Sequence, residues 1–481
     1  MEKRHPGASF PFRSRLHVIS ICRSPVNIET PAIRCLCWIV LLGLVTLCYW
    51  PGLYGGFVFD DDVNILRNDN LRLASLNLAD LWAAAWSGNA GPLGRPVSVA
   101  TFALNYLVGG SDPFSFKLVN LSIHLVNTLL VGALAQILCN ALIQRRRGIA
   151  LGDAARWAGW IVAGLWGLHP LNLTGVLYVV QRMTSLCTLF GLTALLIYAR
   201  YRYITCGNGR LQRPRLAGIV VGALITACLA LSALSKETGV LFFPLLIWIE
   251  LCVFRCRLGG NAVRILNWDA RRCVIWLTGL AMAYLVIFKL PGMLAPAAFN
   301  NRDFTLYERA LTESRVLFFY LRLFLLPSNA QLSLYHDDFS ISHSLFDPPS
   351  TVIALAALAI ISLVAWLFRK RLPELGFAWG WFLIAHALES SVFPLELVYE
   401  HRNYFATIGM LLLVPLALQS VARLEVNRVF LALLTGYVGL LGFVTYVRSL
   451  QWSDYVDWAL LEASNHPKST SATYELARVY M

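Results

Sequence analysis

Apolar runs of about 17 to 25 residues recur along almost the whole chain, and each is long enough to cross a bilayer as a helix. Hydrophobic residues make up 57% of the sequence and charged residues only 14%, whereas soluble domains are rarely so apolar. The pattern predicts an all-α polytopic membrane protein with about eleven transmembrane helices. The predicted spans are 35–53, 118–143, 157–178, 183–199, 216–234, 239–254, 273–290, 351–368, 375–393, 403–421 and 429–447.

The basic residues are distributed by membrane side rather than in one patch. The formal net charge is +13, but Lys and Arg are dispersed between apolar runs, so no nucleic-acid partner is expected. If the N-terminus is cytoplasmic, most of them fall on cytoplasmic segments, including Arg145–Arg147 and Arg369–Arg371. Most Asp and Glu fall on the other side. An odd number of spans then places the C-terminus outside.

The predicted spans and their orientation divide the chain into three parts. Residues 1–34 are predicted to be a basic cytoplasmic segment, and residues 35–447 a transmembrane domain. Residues 448–481 are predicted to be an outer-face helical tail. Two larger outer loops, at about 54–117 and 291–350, hold most of the polar residues.

Two further apolar segments are not counted as spans. Residues 97–108 are too short to cross and are predicted to form a helix at the outer surface or to lead into the next span. Residues 310–327 are long enough, but a crossing there would place Arg369–Arg371 outside. That segment is predicted to be re-entrant or interfacial.

Three consecutive acids follow the first predicted span. Neighbouring carboxylates raise one another's pKa, which suits a general base working near neutral pH. Asp60 and Asp61 are therefore candidate catalytic residues. A solvated acidic loop is one alternative, and a divalent cation at Asp60, Asp61 and Asp62 is another, since hard cations prefer clustered carboxylate oxygens. No cofactor is firmly implied.

Basic side chains recur where predicted spans reach the outer side. Several cations at one depth are what a lipid phosphate requires, although a single one is more often an anchor that reaches the interface. Glu400 beside Arg402 has the further alternative of a structural ion pair. The candidate phosphate-binding residues are Arg95, Arg182, Lys236 and Arg402, with Glu237, Arg315, Glu400 and His401 in supporting positions.

Six stretches, in order along the chain, resemble the transmembrane and tetratricopeptide-repeat glycosyltransferases. These belong to the GT-C class, which includes the protein O-mannosyltransferases, and the chain is most similar to their bacterial relatives. The stretches are FVFDDDVNILRN at 57–68, GRPVSVATFALNYLVGG at 94–110, KLVNLSIHLVNTLLV at 117–131, LHPLNLTGVLYVVQRMTSL at 168–186, LSALSKETG at 231–239 and ESSVFPLELVYEHRNYFATIG at 389–409.

The resemblance implies an eleven-span GT-C fold in a bacterial inner membrane, with the C-terminus in the periplasm. It implies an acidic base at Asp60 or Asp61, leaving Asp62 as an extra acid. The basic family positions fall on Arg95, Arg182, Lys236 and Arg402. Some relatives have an acid or His where this chain has Asn172 and Thr174. The tail at 448–481 would be the start of a tetratricopeptide repeat, or equally a short amphipathic tail on the membrane.

The expected activity is inverting transfer of a monosaccharide from a polyprenyl-phosphate carrier to an acceptor hydroxyl on a protein or a glycan. Asp60 or Asp61 would take the proton, while Arg182 and Arg402, with Lys236, would offset charge on the leaving phosphate. One alternative is an oligosaccharide ligase or oligosaccharyltransferase, which would need a larger outer domain. Another is a transporter or flippase of lipid-linked sugars, which would show internal repeats and mid-span polar residues.

Overall fold

The computed structural model describes residues 31–147, 153–206, 214–254, 295–421 and 427–481, together with 257–258, 261–262 and 292. Residues 41–481 belong to one compact unit, and residues 31–40 belong to another. The helices are α1 Pro31–Tyr49, α2 Leu78–Ala85, α3 Pro96–Gly109, α4 Pro113–Arg147, α5 Asp153–Gly167, α6 Thr174–Leu177, α7 Arg182–Cys206, α8 Pro214–Ser235, α9 Phe242–Ile249, α10 Leu306–Leu325, α11 Ser350–Leu367, α12 Pro373–His386, α13 Ile408–Leu411, α14 Leu413–Val421, α15 Asn427–Gln451, α16 Tyr455–Asn465 and α17 Thr470–Tyr480.

Shorter elements connect these helices. A two-stranded antiparallel ribbon pairs β1 (Arg257–Leu258) with β2 (Asn261–Ala262), with Arg257 opposite Ala262. Single helical turns lie at Pro51–Tyr54, Asp62–Leu66, Asp69–Leu71, Pro170–Asn172, Val179–Gln181, Glu237–Leu241, Glu250–Phe254, Pro296–Phe299 and Glu400–Asn403.

The prediction of an all-α polytopic membrane protein is confirmed. Within the described residues, seven helical segments are long and apolar enough to cross a membrane. They are Ala32–Tyr49, Pro113–Gln144, Val179–Thr205, Leu216–Ser235, Glu237–Phe254, Ser350–Leu367 and Arg428–Gln451.

The number of eleven spans stays a prediction. The predicted span 157–178 is a bent pair of helices, Arg156–Gly167 and Pro170–Leu177, that meet at 59°. The predicted span 375–393 contains α12, which has only 14 residues, and 403–421 contains the short helices α13 and α14. The predicted span 273–290 lies outside the described residues.

Helix burial separates core helices from those that face lipid. In the span that contains α7, 72% of the apolar window is buried inside the protein, whereas for α8 the share is 6%. Exposed apolar side chains on a membrane helix face hydrocarbon, where they are stable without a protein partner. Helix α7 therefore lies in the centre of the domain, and α8 lies at its edge.

The bend after α5 follows from His169 and Pro170. Proline has no N–H to continue a helix, and the residue before it avoids the helical region; His169 is extended, at φ −77° and ψ 126°. The freed backbone groups are satisfied by side chains, as membrane burial requires. The His169 ring accepts the Leu171 N–H at 3.2 Å, and the Asn172 amide donates to the Trp166 carbonyl at 2.7 Å. The backbone beyond this bend reaches the candidate site in an irregular path.

The two apolar segments left out of the span count are both helical. Residues 97–108 form α3, which stops at Gly110, a glycine with φ of 59°. Residues 310–327 fall within and just beyond α10, whose start is fixed by a capping box between Thr305 and Glu308. The buried Arg309 and Glu313 of α10 form an ion pair at 2.8 Å.

The C-terminal residues form two helices, α16 and α17, which pack on each other. Asp454 and Ser469 cap their N-termini with side-chain oxygens. Trp458 and Ala472 are buried in the same apolar cluster as Tyr335 of the second large loop. The tail is therefore packed on the loops of the domain.

A fusion experiment tests the predicted topology. Because basic loops stay in the cytoplasm, a reporter enzyme fused after Arg147 or Arg371 should report cytoplasm, and one fused after Met481 should report the outer side. The measurement is reporter activity in intact cells. A cytoplasmic signal from the Met481 fusion would contradict an odd number of spans.

Candidate functional site

Asp60 is the half-buried acid of the first large loop. The preceding Phe59 has a left-handed backbone, at φ 47°, and the Asp60 N–H donates to the Tyr178 hydroxyl at 3.2 Å. Burial raises the pKa of Asp60 above its ordinary value; the Tyr178 hydroxyl and the Arg95 guanidinium oppose this rise, and Glu396 adds to it. Asp60 is thus a half-buried carboxylate that interacts with both a cation and another acid.

Asp61 is fully buried and joins two segments of the chain. Its Oδ1 accepts the Val180 N–H at 2.7 Å, and its Oδ2 accepts the Val58 N–H at 3.1 Å. Burial raises the pKa of Asp61 to about 7, against the lowering effect of these hydrogen bonds and of Lys117. Since both carboxylate oxygens are occupied, Asp61 holds the loop to the irregular backbone beyond α6.

Asp62 is turned to another partner. It forms an ion pair with Arg67 at 2.6 Å. The three consecutive acids therefore have three separate environments. In the part of the chain that the structure describes, no group of three or more His, Cys, Asp or Glu is arranged to hold a metal ion.

Arg95 and Lys236 each form an ion pair in the same region. Arg95 binds Glu237 through Nε and Nη2, both at 2.9 Å. The Lys236 ammonium binds Glu389 at 2.8 Å and the Thr184 hydroxyl at 3.1 Å. Lys236 and Glu237 are neighbours at the break after α8, where Lys236 is extended at φ −158°. The turn between the two spans therefore holds the Lys236 ammonium and the Glu237 carboxylate side by side in the chain.

His401 and Arg402 complete the site from the turn Glu400–Asn403. Arg402 is buried and donates to the Leu397 carbonyl at 2.7 Å and the Glu396 carbonyl at 2.6 Å; no described atom accepts its buried Nε–H. Burial lowers the pKa of His401 far below its ordinary value, and the charges of Lys236, Arg402 and Arg95 lower it further. His401 is therefore a neutral ring among three cations. Arg95, Lys236 and Arg402 are called the cation cluster below.

Arg182 is held differently from the cation cluster. It is fully buried and lies over the Phe102 and Phe116 rings, at 4.7 and 5.3 Å from their centroids. Its role at the phosphate stays a prediction, and four of its five N–H donors are already used in hydrogen bonds. These go to four neutral oxygens: Asn105 Oδ1 at 2.6 Å, Asn120 Oδ1 at 2.7 Å, Phe116 O at 2.9 Å and Thr101 O at 3.1 Å.

The two remaining predicted residues bind the second large loop. Glu400 accepts the Ser333 N–H at 2.7 Å and pairs with Arg448 of α15 at 2.7 Å. Arg315 donates to the Ser340 carbonyl and hydroxyl, each at 2.7 Å. Both contacts fix the loop that contains residues 333–342.

Sequence reasoning missed two residues that organise the site. Tyr178 lies in an apolar run that the sequence assigned to a span, so its hydroxyl carried no signal; the His169–Pro170 break was the available clue. Arg309 donates to the carbonyls of Glu389 and Ser391, each at 2.9 Å. Its four-residue spacing from Glu313 in an apolar helix was a recognisable sign of a buried pair.

A cavity of about 130 Å³ is lined by Phe59, the residue that precedes Asp60 in the chain. Phe59 contributes to its wall, as does Glu396, whose charge acts on Asp60. The rest of the lining comes from the second large loop, the segment before Glu400 and the tail: Asp303, Phe304, Tyr335, His336, Asp337, Phe339, Ile341, Leu397, Val398, Tyr399 and Ser471.

Comparison with curated proteins finds relatives that include protein O-mannosyl-transferases. Human "Protein O-mannosyl-transferase TMTC3" is 31% identical over 206 residues, which is 42% of this chain and 20% of that protein. Human "Protein O-mannosyl-transferase TMTC4" is 33% identical over 168 residues, or 34% and 22% of the two chains. The chain resembles the TMTC protein O-mannosyl-transferases. "Protein O-mannosyl-transferase F38B6.6" of Caenorhabditis elegans is 27% identical over 300 residues, or 60% and 38%.

These matches support the family resemblance seen in the sequence at its general level. The alignments cover about a fifth to two fifths of the length of these relatives. No protein-family model matches the chain, and no solved structure matches it. A special likeness to bacterial members stays a prediction.

Replacing Arg182 with Lys separates a structural role from phosphate binding. An ammonium has only three donors and lacks the planar fork, so the Arg182→Lys variant should leave a buried acceptor unsatisfied and lose about 1–3 kcal/mol of stability. Thermal unfolding of the purified protein measures this, with the exposed Arg67→Lys as the matched control. Unchanged stability combined with weaker use of a lipid-phosphate donor would instead support the phosphate contact.

Proposed function

We propose that this integral membrane protein is a glycosyltransferase that moves a monosaccharide from a polyprenyl-phosphate carrier to a protein hydroxyl on the outer, periplasmic face. The relatives support a sugar transfer to protein, since their names describe protein O-mannosyl-transferases. The observation that carries the proposal is a half-buried carboxylate, Asp60, that interacts with Arg95, which together with Lys236 and Arg402 also acts on His401.

Asp60 serves as the general base in this proposal. The acceptor hydroxyl oxygen attacks the anomeric carbon, and its proton passes to the Asp60 carboxylate. The bond from that carbon to the phosphate oxygen breaks, and its electron pair stays on the polyprenyl phosphate. The new bond forms on the opposite face, so the anomeric configuration inverts. The raised pKa of Asp60 makes its carboxylate a stronger base than an exposed Asp.

Asp61 acts through Asp60 rather than on the substrate. Its two oxygens are occupied by the N–H groups of Val58, two residues before Asp60, and of Val180, two residues after Tyr178. These hydrogen bonds fix the distance between Asp60 and the Tyr178 hydroxyl. Asp61 is therefore a positioning residue.

The cation cluster binds the donor phosphate in this proposal. Arg95 and Lys236 are already paired with Glu237 and Glu389, so the site is prepared for an anion without a large uncompensated charge. His401 is neutral and can donate one hydrogen bond. The Nε–H of Arg402 is a further buried donor without an acceptor among the described residues. These donors stabilise the charge that develops on the leaving phosphate.

Removing the base tests the function. Asp60→Asn keeps the shape of the side chain but cannot accept a proton, so transfer of sugar from a polyprenyl-phosphate donor to a protein should fall by roughly a hundred- to ten-thousand-fold. The rate is measured with purified protein whose folding is checked by thermal unfolding. Asp62→Asn, next to it, is the matched control and should retain most activity. Full activity in Asp60→Asn would rule out this base.

Neutralising one ion pair tests donor binding. The double variant Lys236→Gln with Glu389→Gln removes a cation without leaving a buried unpaired acid. The donor KM should rise about tenfold, equivalent to roughly 1.4 kcal/mol of binding, with a smaller change in the KM of the acceptor.

The matched control removes another buried pair. Arg202 and Glu250 form an ion pair at 2.8 Å that lies near the opposite end of α7 from the site. The double variant Arg202→Gln with Glu250→Gln should leave the donor KM unchanged. Equal KM values in both double variants would contradict a phosphate role for Lys236.

A further inference from the structure

We propose that the cavity lined by Phe59 and Glu396 receives the acceptor as a peptide segment whose residues next to the reacting hydroxyl are neutral or basic, and that it disfavours acidic segments. This inference rests on the proposed function and names the class of protein acceptor that the site selects.

The cavity lies near the proposed base, although Asp60 itself does not line it. Phe59, the residue before Asp60, lines it, and so does Glu396, whose charge acts on Asp60. A volume of about 130 Å³ is close to that of a cavity that admits a small ring. It is therefore large enough for one side chain of an incoming peptide.

The walls of the cavity suit an aqueous partner rather than the lipid carrier. None of its lining residues belongs to the seven long apolar segments found in the described part of the chain. The loop residues Asp337 and Asp338 are joined to the tail, since Asp337 accepts hydrogen bonds from the Ser469 hydroxyl and, at 3.1 Å, from the Ser471 N–H. Asp338 pairs with His466 at 3.0 Å. A polyprenyl chain has to enter from between spans, so this cavity faces the other substrate.

The lining contains two buried polar groups that make no hydrogen bond to the described residues. The Tyr335 hydroxyl and His336 Nε2 have no hydrogen-bond partner among the described residues. The His336 side chain is only 2% exposed, and its closest carboxylate, on Glu400, is 3.9 Å away, which is too long for a hydrogen bond. Buried polar groups are usually satisfied, and the polar backbone or side chains of a bound peptide would supply the missing partners.

The charge of the lining determines the kind of peptide. Of the residues that line the cavity in the described part of the chain, three are acidic, Asp303, Asp337 and Glu396, and none is Lys or Arg. Glu396 is paired with Arg302, whereas Asp337 binds only neutral donors of the tail. Asp303 is exposed. The remaining negative field attracts basic groups and repels acidic ones next to the hydroxyl.

The test uses three peptides that differ only in the two residues flanking a single Thr: Lys, Gln or Glu. Their transfer kcat/KM is measured with purified full-length protein and a mannosyl polyprenyl phosphate, and their equilibrium binding is measured separately without donor. The order should be Lys above Gln above Glu, spanning roughly tenfold at low salt and less at high salt. In Asp303→Asn, the ratio of kcat/KM for the Lys peptide to kcat/KM for the Glu peptide should be about threefold smaller.

Asp80→Asn is the matched control, because Asp80 is an exposed acid of the first large loop and does not line the cavity. This variant should leave the ratio of kcat/KM between the Lys and Glu peptides unchanged. Equal transfer to all three peptides, or the same effect of both Asn variants, would overturn the inference and leave the proposed function standing. Ordered binding of the peptides with no transfer to any would keep the acceptor inference and overturn transfer from this donor. Neither binding nor transfer would overturn both.

Discussion

The site depends on the buried carboxylate of Asp61, which binds backbone N–H groups on two segments far apart in sequence. Val58 belongs to the first large loop, and Val180 belongs to the irregular backbone that follows the bent helix pair. A buried carboxylate is tolerable only when its oxygens are hydrogen-bonded, and buried N–H groups require acceptors equally. Each therefore needs the other. This mutual requirement places Asp60 against Tyr178, and the catalytic proposal follows from that placement.

Breaks in the membrane helices supply the rest of the geometry. The extended Tyr178 ends the short helix α6 and leaves the Val180 N–H for Asp61, and the extended Lys236 turns the chain between two spans. A continuous helix would satisfy its own backbone and keep these side chains pointing along one face. Irregular backbone at this depth is stable because side chains, such as Asn172 on the Trp166 carbonyl, replace the lost helical hydrogen bonds.

The sequence predicts the helical membrane fold well, because a long uncharged apolar run is stable in lipid only as a helix that satisfies its own backbone. It also predicts Asp60, Lys236 and Arg402 as candidate site residues, since charges at span ends are costly unless used. The bend in the span 157–178 is missed because average hydropathy does not detect a single proline, although Pro170 itself is the sequence signal of a break. Nor does the sequence separate Arg182 from the cation cluster: both kinds of arginine end an apolar run, and only the three-dimensional positions of Asn105 and Asn120 show which acceptors Arg182 reaches.

Under the proposed function, the balance of charges lets one small region hold both the base and the anion site. Asp60 must lose its proton readily enough to act as a base, while the cation cluster must stay ready for a phosphate. If the cations were unpaired, their field would lower the pKa of Asp60 and weaken it as a base. Glu237 and Glu389 partly cancel that field, and Glu396 raises the pKa of Asp60 from the cavity side. A bound phosphate would cancel more of the cationic charge, so Asp60 becomes a stronger base only when the donor is in place.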